Sequence, residues 1–192
     1  NVDTLVLAAS NLISSRKPSV KFGISPAGIW AMQSYNSNGV PGLNKALQTY
    51  YDVYADTRKW VVNEWIDYIC PQIYWNIDHS LAPFKNISSW WGSLCKNTGV
   101  ELYVGIAAYN GGTGSFNYTE YINQLTYLKN IDKCNGAVFF AYNDLVGNMG
   151  NITDVITAMY GGSTEDNPAA EVIPASDKLV LSTSKQTVSN DY

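Results

Sequence analysis

The chain has 192 residues, of which 46% are hydrophobic and 15% charged, with a formal net charge of -4 at pH 7. That balance belongs to a folded chain and excludes intrinsic disorder; an acidic pI near 4.8 with 12 Lys+Arg argues against nucleic acid as the main partner. No run reaches the roughly 18 apolar residues of a membrane span, and no signal-type segment opens the chain.

Residues 2–15 carry apolar side chains at Leu5, Ala8, Ala9, Leu12 and Ile13, a helical period. After Pro18, residues 20–26 read as a short buried strand, followed by a Gly/Asn/Ser-rich loop over 28–42 that includes Asn36-Ser37-Asn38-Gly39. The pattern over 51–65 predicts a helix with Tyr54, Thr57, Val61 and Trp65 on one side. A strand over 66–75, a helix over 84–97 and a strand over 100–109 come next. Residues 118–131 predict a helix with Tyr121, Leu125 and Leu128 on one face, 136–142 a strand, and 151–159 a helix capped by Asn151 or Thr153.

Helix then strand, four times, with strands apolar on both faces, predicts an α/β fold built on a parallel sheet. Beyond Gly161-Gly162 the composition shifts. Residues 163–176 read as a linker, and 178–188 alternate Ser, Thr and Val as a lone strand or tail would. The expected organisation is one domain over 1–162, then a linker and the start of an appended β-domain over 163–192.

Cys70, Cys95 and Cys134 are odd in number and lack C-x-x-C spacing, so they predict neither a disulfide framework nor, with His79 as the single histidine, a metal site. No cofactor is inferred. Gly111-Gly112-Thr113-Gly114 lacks the GK[ST] of a phosphate loop and is expected to be a flexible rim.

Parallel α/β folds bind ligands at the carboxyl ends of their strands. Here those ends share one composition: Ser25 and the nearby Trp30, then Gln72, Tyr74 and Trp75, then Tyr109, then Tyr142 and Asn143. Aromatic faces cover the C–H surface of a sugar ring, while amides and hydroxyls bond its OH groups, so this set is the candidate substrate-binding rim for an oligo- or polysaccharide. Alternation puts Tyr68, Cys70, Gln72 and Tyr74 on one face of their strand and Ile69, Ile73 and Trp75 on the other. Trp60, Trp65 and Trp90 are expected as core filler. Glycoside hydrolysis ordinarily needs two carboxylates about 5–9.5 Å apart. Near the strand ends only Asp78 and Asp144 qualify as catalytic candidates, and neither sits in a strand terminus; His79 beside Asp78 is expected to be a surface loop residue.

Three segments carry a resemblance. Lys21-Phe22-Gly23-Ile24-Ser25-Pro26-Ala27-Gly28-Ile29-Trp30, Tyr54-Ala55-Asp56-Thr57-Arg58-Lys59-Trp60, and Trp65-Ile66-Asp67-Tyr68-Ile69-Cys70-Pro71-Gln72-Ile73-Tyr74-Trp75 resemble the bacterial glycosyl hydrolase-like 10 family. The segments Tyr103-Val104-Gly105-Ile106-Ala107-Ala108-Tyr109 and Gly136-Ala137-Val138-Phe139-Phe140-Ala141-Tyr142 fit its later strands. The resemblance covers about residues 2–161 and implies a (β/α)8 TIM barrel acting on glycans in an exported or cell-surface protein.

It further implies that these segments are strands five to eight, the C-terminal half of the barrel. The Asp-rich fourth-strand motif, where the family's catalytic carboxylates are expected, has no counterpart here. A complete barrel takes roughly 250 residues. The expectation is therefore a fragment of a glycoside hydrolase acting on bacterial or dietary polysaccharide, inactive alone, that self-associates or pairs with the N-terminal half-barrel. The alternative is a non-catalytic glycan-binding or cell-surface scaffold barrel.

Overall fold

A computed structural model describes residues 1–161. The linker and appended β-domain expected over 163–192 lie outside the described residues. Helix α1 (Val2–Arg16) leads to β1 (Gly23–Ile24), and α2 (Thr49–Asp52) and α3 (Thr57–Val62) lead to β2 (Tyr68–Ile69). Then come α4 (Phe84–Cys95), β3 (Glu101–Ala107), α5 (Tyr118–Lys129), β4 (Cys134–Phe140), α6 (Tyr142–Val146) and α7 (Ile152–Tyr160). The strands form one sheet in the order β1-β2-β3-β4, and every pairing is parallel. Sequence neighbours that pair in parallel through intervening helices make a partial (β/α) barrel, the predicted architecture.

The core lies between the sheet and its helices. Ile69, Ile73, Leu102, Val104 and Ile106 are wholly buried together with Phe84, Ile87 and Trp91 of α4 and Tyr121 and Leu125 of α5. Each such side chain contributes about 1.5–3 kcal/mol by leaving water. The two large polar-tipped aromatics bring partners with them. Trp91 Nε1 donates to the Gly28 carbonyl at 2.7 Å, and the Tyr121 hydroxyl donates to the Ala107 carbonyl at 3.0 Å. Burial pushes the Tyr121 phenol up to about 12. Trp60 is buried as expected, whereas Trp65 and Trp90 are only partly buried against the core.

Five elements differ from the sequence expectation, each for a local reason. Strands expected over 20–26 and 66–75 keep regular pairing only at Gly23–Ile24 and Tyr68–Ile69, because Pro26 and Pro71 have no N–H for the ladder. The alignment nonetheless continues: Cys70 N donates to Ile24 O and Gln72 N to Pro26 O, both at 2.9 Å, and Gln72 bridges Ala27 and Gly105. The helix expected over 51–65 is broken into α2 and α3 at Tyr54, whose φ of 55° is left-handed. Asp56 restarts it by accepting from Lys59 N at 3.1 Å, an N-cap.

The last strand ends at Phe140 rather than residue 142, because Asp144 accepts the Ala141 N–H at 2.9 Å and starts α6 with Tyr142 and Asn143 in its first turn. For α7 the capping side chain is neither Asn151 nor Thr153. Asn148 Oδ1 accepts the Thr153 N–H at 2.9 Å.

Of the loop expected as a rim, Gly111 is packed, whereas Gly112, Thr113 and Gly114 are exposed. A Cβ on Gly111 would fall 2.3 Å from the Met149 carbonyl oxygen, so the two backbones touch in a way only glycine permits. Cys70 and Cys95 are buried and Cys134 half-buried, all three as free thiols. Burial raises all three above the ordinary thiol value, Cys95 to about 12, which makes them small hydrophobes. Among the described residues, no group of three or more His, Cys, Asp or Glu side chains forms a metal-ligand set.

Candidate functional site

The face of the sheet opposite α4 and α5 carries two groups of side chains, one at each end of the strands. At the amino ends, Lys21 pairs with Glu101, and the Tyr103 hydroxyl donates to Glu101 at 3.2 Å. Tyr68 meets Tyr103 edge-on, with ring centres 6.0 Å apart. A cavity of about 310 Å³ lies among these residues, Cys70 and Val138. The Lys21 ammonium holds the Glu101 carboxyl below its ordinary value. In barrels of this kind the amino-end layer serves stability.

The carboxyl ends hold the second group. Ser25 Oγ donates to the Cys70 carbonyl at 2.8 Å, and Gln72 Nε2 donates to the Ser25 carbonyl at 3.1 Å. Both side chains are thus fixed across β1 and β2, with the Gln72 amide oxygen left as an acceptor. Two residues on, Tyr74 meets Tyr109 edge-on at 5.7 Å and stacks with Phe140 at 6.3 Å and 18° between planes. Gly105 makes room for this arrangement: a Cβ there would meet the Pro71 carbonyl at 3.1 Å and the Tyr74 ring at 3.5 Å. Burial, then Cys70 and Tyr109 nearby, push the Tyr74 phenol up, so it remains an O–H donor at neutral pH. Tyr109 and Phe140 are about half exposed, at 45% and 58%. The arrangement offers aromatic surface beside an amide and hydroxyls, the chemistry that holds a sugar ring.

Of the predicted rim, the structure therefore brings together Ser25, Gln72, Tyr74 and Tyr109. Phe140 joins them and was missed, because strand β4 was expected to end two residues later. Its signal lay in the alternation of Gly136, Val138 and Phe140 on one face of a strand ending at Phe140.

Trp30 is a correction. Its ring is buried, stacked on Trp90 with centres 5.9 Å apart, and its Nε1 donates to Asp56 Oδ1 at 2.9 Å. Trp75 lies in the bend beyond β2, half-buried against the core, and its carbonyl accepts from Gln124 Nε2. Tyr142 and Asn143 are exposed in the first turn of α6, a helix that lies against the end of β4 and the Ala108–Asn110 turn.

The two carboxylates proposed from sequence are both committed elsewhere. Asp78 is exposed and paired with Lys85, and Asp144 is the α6 cap. His79 accepts from Leu81 N at 3.3 Å and Ala82 N at 3.1 Å through Nδ1, so it shapes its own loop. That loop is also tied from outside. Buried Glu120 accepts from Ile77 N at 2.6 Å and Gln124 Nε2 at 2.7 Å, and Gln124 donates to the Trp75 carbonyl at 3.2 Å.

The sequence profile of the family described as Glycosyl hydrolase-like 10 matches residues 1–123, well over half of the chain. The chain belongs to this family. It is 37% identical over 161 residues to "Glycosyl hydrolase YngK" of Bacillus subtilis (strain 168), a match covering 82% of this chain and 31% of that protein. It is 41% identical over 115 residues to "Glycosyl hydrolase DigH" of Escherichia coli (strain K12), covering 60% of this chain and 26% of that protein. The chain thus spans a third or less of the length of these relatives. The resemblance found in the sequence segments is a family membership, and the parallel sheet is this family's barrel in part.

Proposed function

We propose that this glycosyl hydrolase-like 10 chain supplies one wall of the saccharide cleft of an enzyme acting on bacterial or dietary polysaccharide. The observation that carries the reading is the Tyr74–Tyr109–Phe140 cluster beside the Ser25–Gln72 pair, at the carboxyl ends of four parallel strands. The acids that cleave the glycosidic bond come from outside the described residues, since Asp78 and Asp144 are engaged with Lys85 and the Ala141 N–H. The exposed face of the sheet is closed by self-association or by a complementary half-barrel. An extracellular or cell-surface location accords with a glycan substrate.

The test is a binding titration of the chain with soluble oligosaccharides such as cellotetraose and chitotetraose. Replacing Tyr109 by Ala should weaken binding about tenfold with little change in melting temperature. Unchanged affinity in that variant overturns the cleft. A reducing-end assay on the same samples should show no turnover by the chain alone; turnover abolished by Asp78→Ala or Asp144→Ala would reassign the acids to this chain. Light scattering on a gel-filtration peak tests closure, and a monomer of 21.1 kDa with no bound fragment refutes it. The engagement of both acids also favours a second reading, a non-catalytic glycan-binding scaffold. The coding sequence upstream separates the two, because a hydrolase requires paired Asp or Glu at the end of a preceding strand.

A further inference from the structure

The Tyr54-Ala55-Asp56-Thr57-Arg58-Lys59-Trp60 segment stands apart from the cleft, and its chemistry is not absorbed by it. It borders a cavity of about 450 Å³, inside the range of roughly 300–1,000 Å³ usual for small-molecule sites. Asp3, Tyr50, Tyr51, Tyr54, Asp56 and Lys59 line it. None of its lining residues belongs to the Tyr74–Tyr109–Phe140 group or to the Ser25–Gln72 pair, so the two are separate sets of side chains.

The lining combines three properties. First, aromatic surface is exposed: Tyr54 is 82% accessible and Tyr50 and Tyr51 are 39% each. Tyr50 and Tyr51 meet edge-on at 4.9 Å, and Tyr50 leans on buried Trp30 at 5.3 Å. Second, the polar groups are held rigidly. Asp3 accepts from Trp60 Nε1 at 2.7 Å and Lys59 Nζ at 2.8 Å, while Asp56 Oδ1 accepts from Trp30 Nε1 and Lys59 N. Among the described residues nothing donates to Asp56 Oδ2, which remains an acceptor. Third, Tyr54 is presented from a left-handed backbone, φ 55°, a conformation costing a bulky residue about 1–3 kcal/mol and one that glycine would adopt freely. A tyrosine kept there, with its ring in solvent, gains nothing from packing.

We infer that this cavity is a second saccharide-binding site, taking one pyranose unit of an oligosaccharide on the faces of Tyr50 and Tyr54 with Asp56 accepting from its hydroxyls. The Lys59 ammonium is neutralised by Asp3, so the site suits an uncharged sugar better than a phosphate or a uronate. The inference rests on the reading that the protein handles saccharides, and its test separates the two.

The experiment follows amide and indole N–H resonances of the chain during titration with cellotetraose and, separately, chitotetraose. The reporter is the Trp30 indole N–H, which bonds Asp56 at the edge of the cavity. A saturable shift there should weaken about tenfold in Tyr54→Gly, a variant that relieves the backbone and should fold at least as well. Tyr54→Phe, which keeps the ring face, should stay within about threefold of the wild type, and so should Tyr109→Ala. Equal loss in Tyr54→Phe and Tyr54→Gly overturns the stacking geometry. Shifts confined to the surroundings of Tyr109 overturn this site and leave the cleft standing. No shift anywhere with either sugar overturns both.

Discussion

The two faces of the four-stranded sheet are made from the same strands and meet opposite fates. Towards α4 and α5, Ile69, Ile73, Leu102, Val104 and Ile106 have no accessible surface; on the other face Val138 and Phe140 are 48% and 58% exposed. Residue type does not make the difference, since both faces carry large apolar and aromatic side chains. Parity along the strand does: in β3 Leu102, Val104 and Ile106 face the helices while Glu101 and Tyr103 face away. On the covered side an aromatic residue is a stability element whose polar tip must be satisfied, as the Trp91–Gly28 bond shows. On the open side the same chemistry remains available to a ligand or to a partner that closes the barrel.

The comparison predicts a steep asymmetry in mutational cost. Trp91→Ala, on the covered side, should destabilise by about 3–5 kcal/mol in urea unfolding, as large-to-small changes in packed cores do. Glu120→Ala comes next. It removes the acceptor for the part-buried Ile77 N–H and for the buried Gln124 amide, and a buried donor left without a partner costs about 1–3 kcal/mol. The same variant should broaden the resonances of the Trp75–Ala82 loop without touching those of β3. Phe140→Ser, on the open side, should cost less than about 1 kcal/mol. If instead it matched Trp91→Ala, with a penalty that grew at higher protein concentration, the open face would be covered in solution and the asymmetry would belong to the isolated chain only.

Much of the fold was legible because helix and strand periods are local. The apolar repeats in α1 and α5 and the runs around Ile69 and Ile106 gave four α/β units and a parallel sheet. What was not legible depended on single contacts across the chain. Tyr54 breaks a helical pattern because its backbone turns left-handed before Asp56 recaps the chain, and no periodicity shows that in advance. Trp30 is expected at the rim because it follows a strand end, yet its ring is buried and Asp56, 26 residues on, supplies a partner for its indole N–H. Parity also gives the face of Phe140, but not that β4 ends there, since Asp144 fixes where β4 yields to α6. Strand ends of like composition pointed to one edge of the sheet without showing which of their side chains meet there.

The smallest predicted effect tests how the covered side is pinned at its edge, where α1 meets α3. Burial works to raise the Asp3 carboxyl, but hydrogen bonds from Lys59 and Trp60 outweigh it and hold it below its ordinary 3.8. A carboxyl depressed on folding adds stability that is fully present above 3.8 and is lost as pH falls through the lower folded value. Lys59 is raised by the same bond above 10.5, so its share persists below that value and is lost as pH rises through the raised one. The pair is therefore whole across the neutral range. Because it is partly solvated, Asp3→Asn should cost only about 0.2–1 kcal/mol at pH 7. Asn keeps an oxygen for the Trp60 indole and loses only the charge. The gap between wild type and variant, measured by thermal melts across a pH series, should therefore close as pH falls below 3.8. A gap that is the same at every pH would assign the contribution to the Trp60 hydrogen bond and packing, leaving the ion pair without effect.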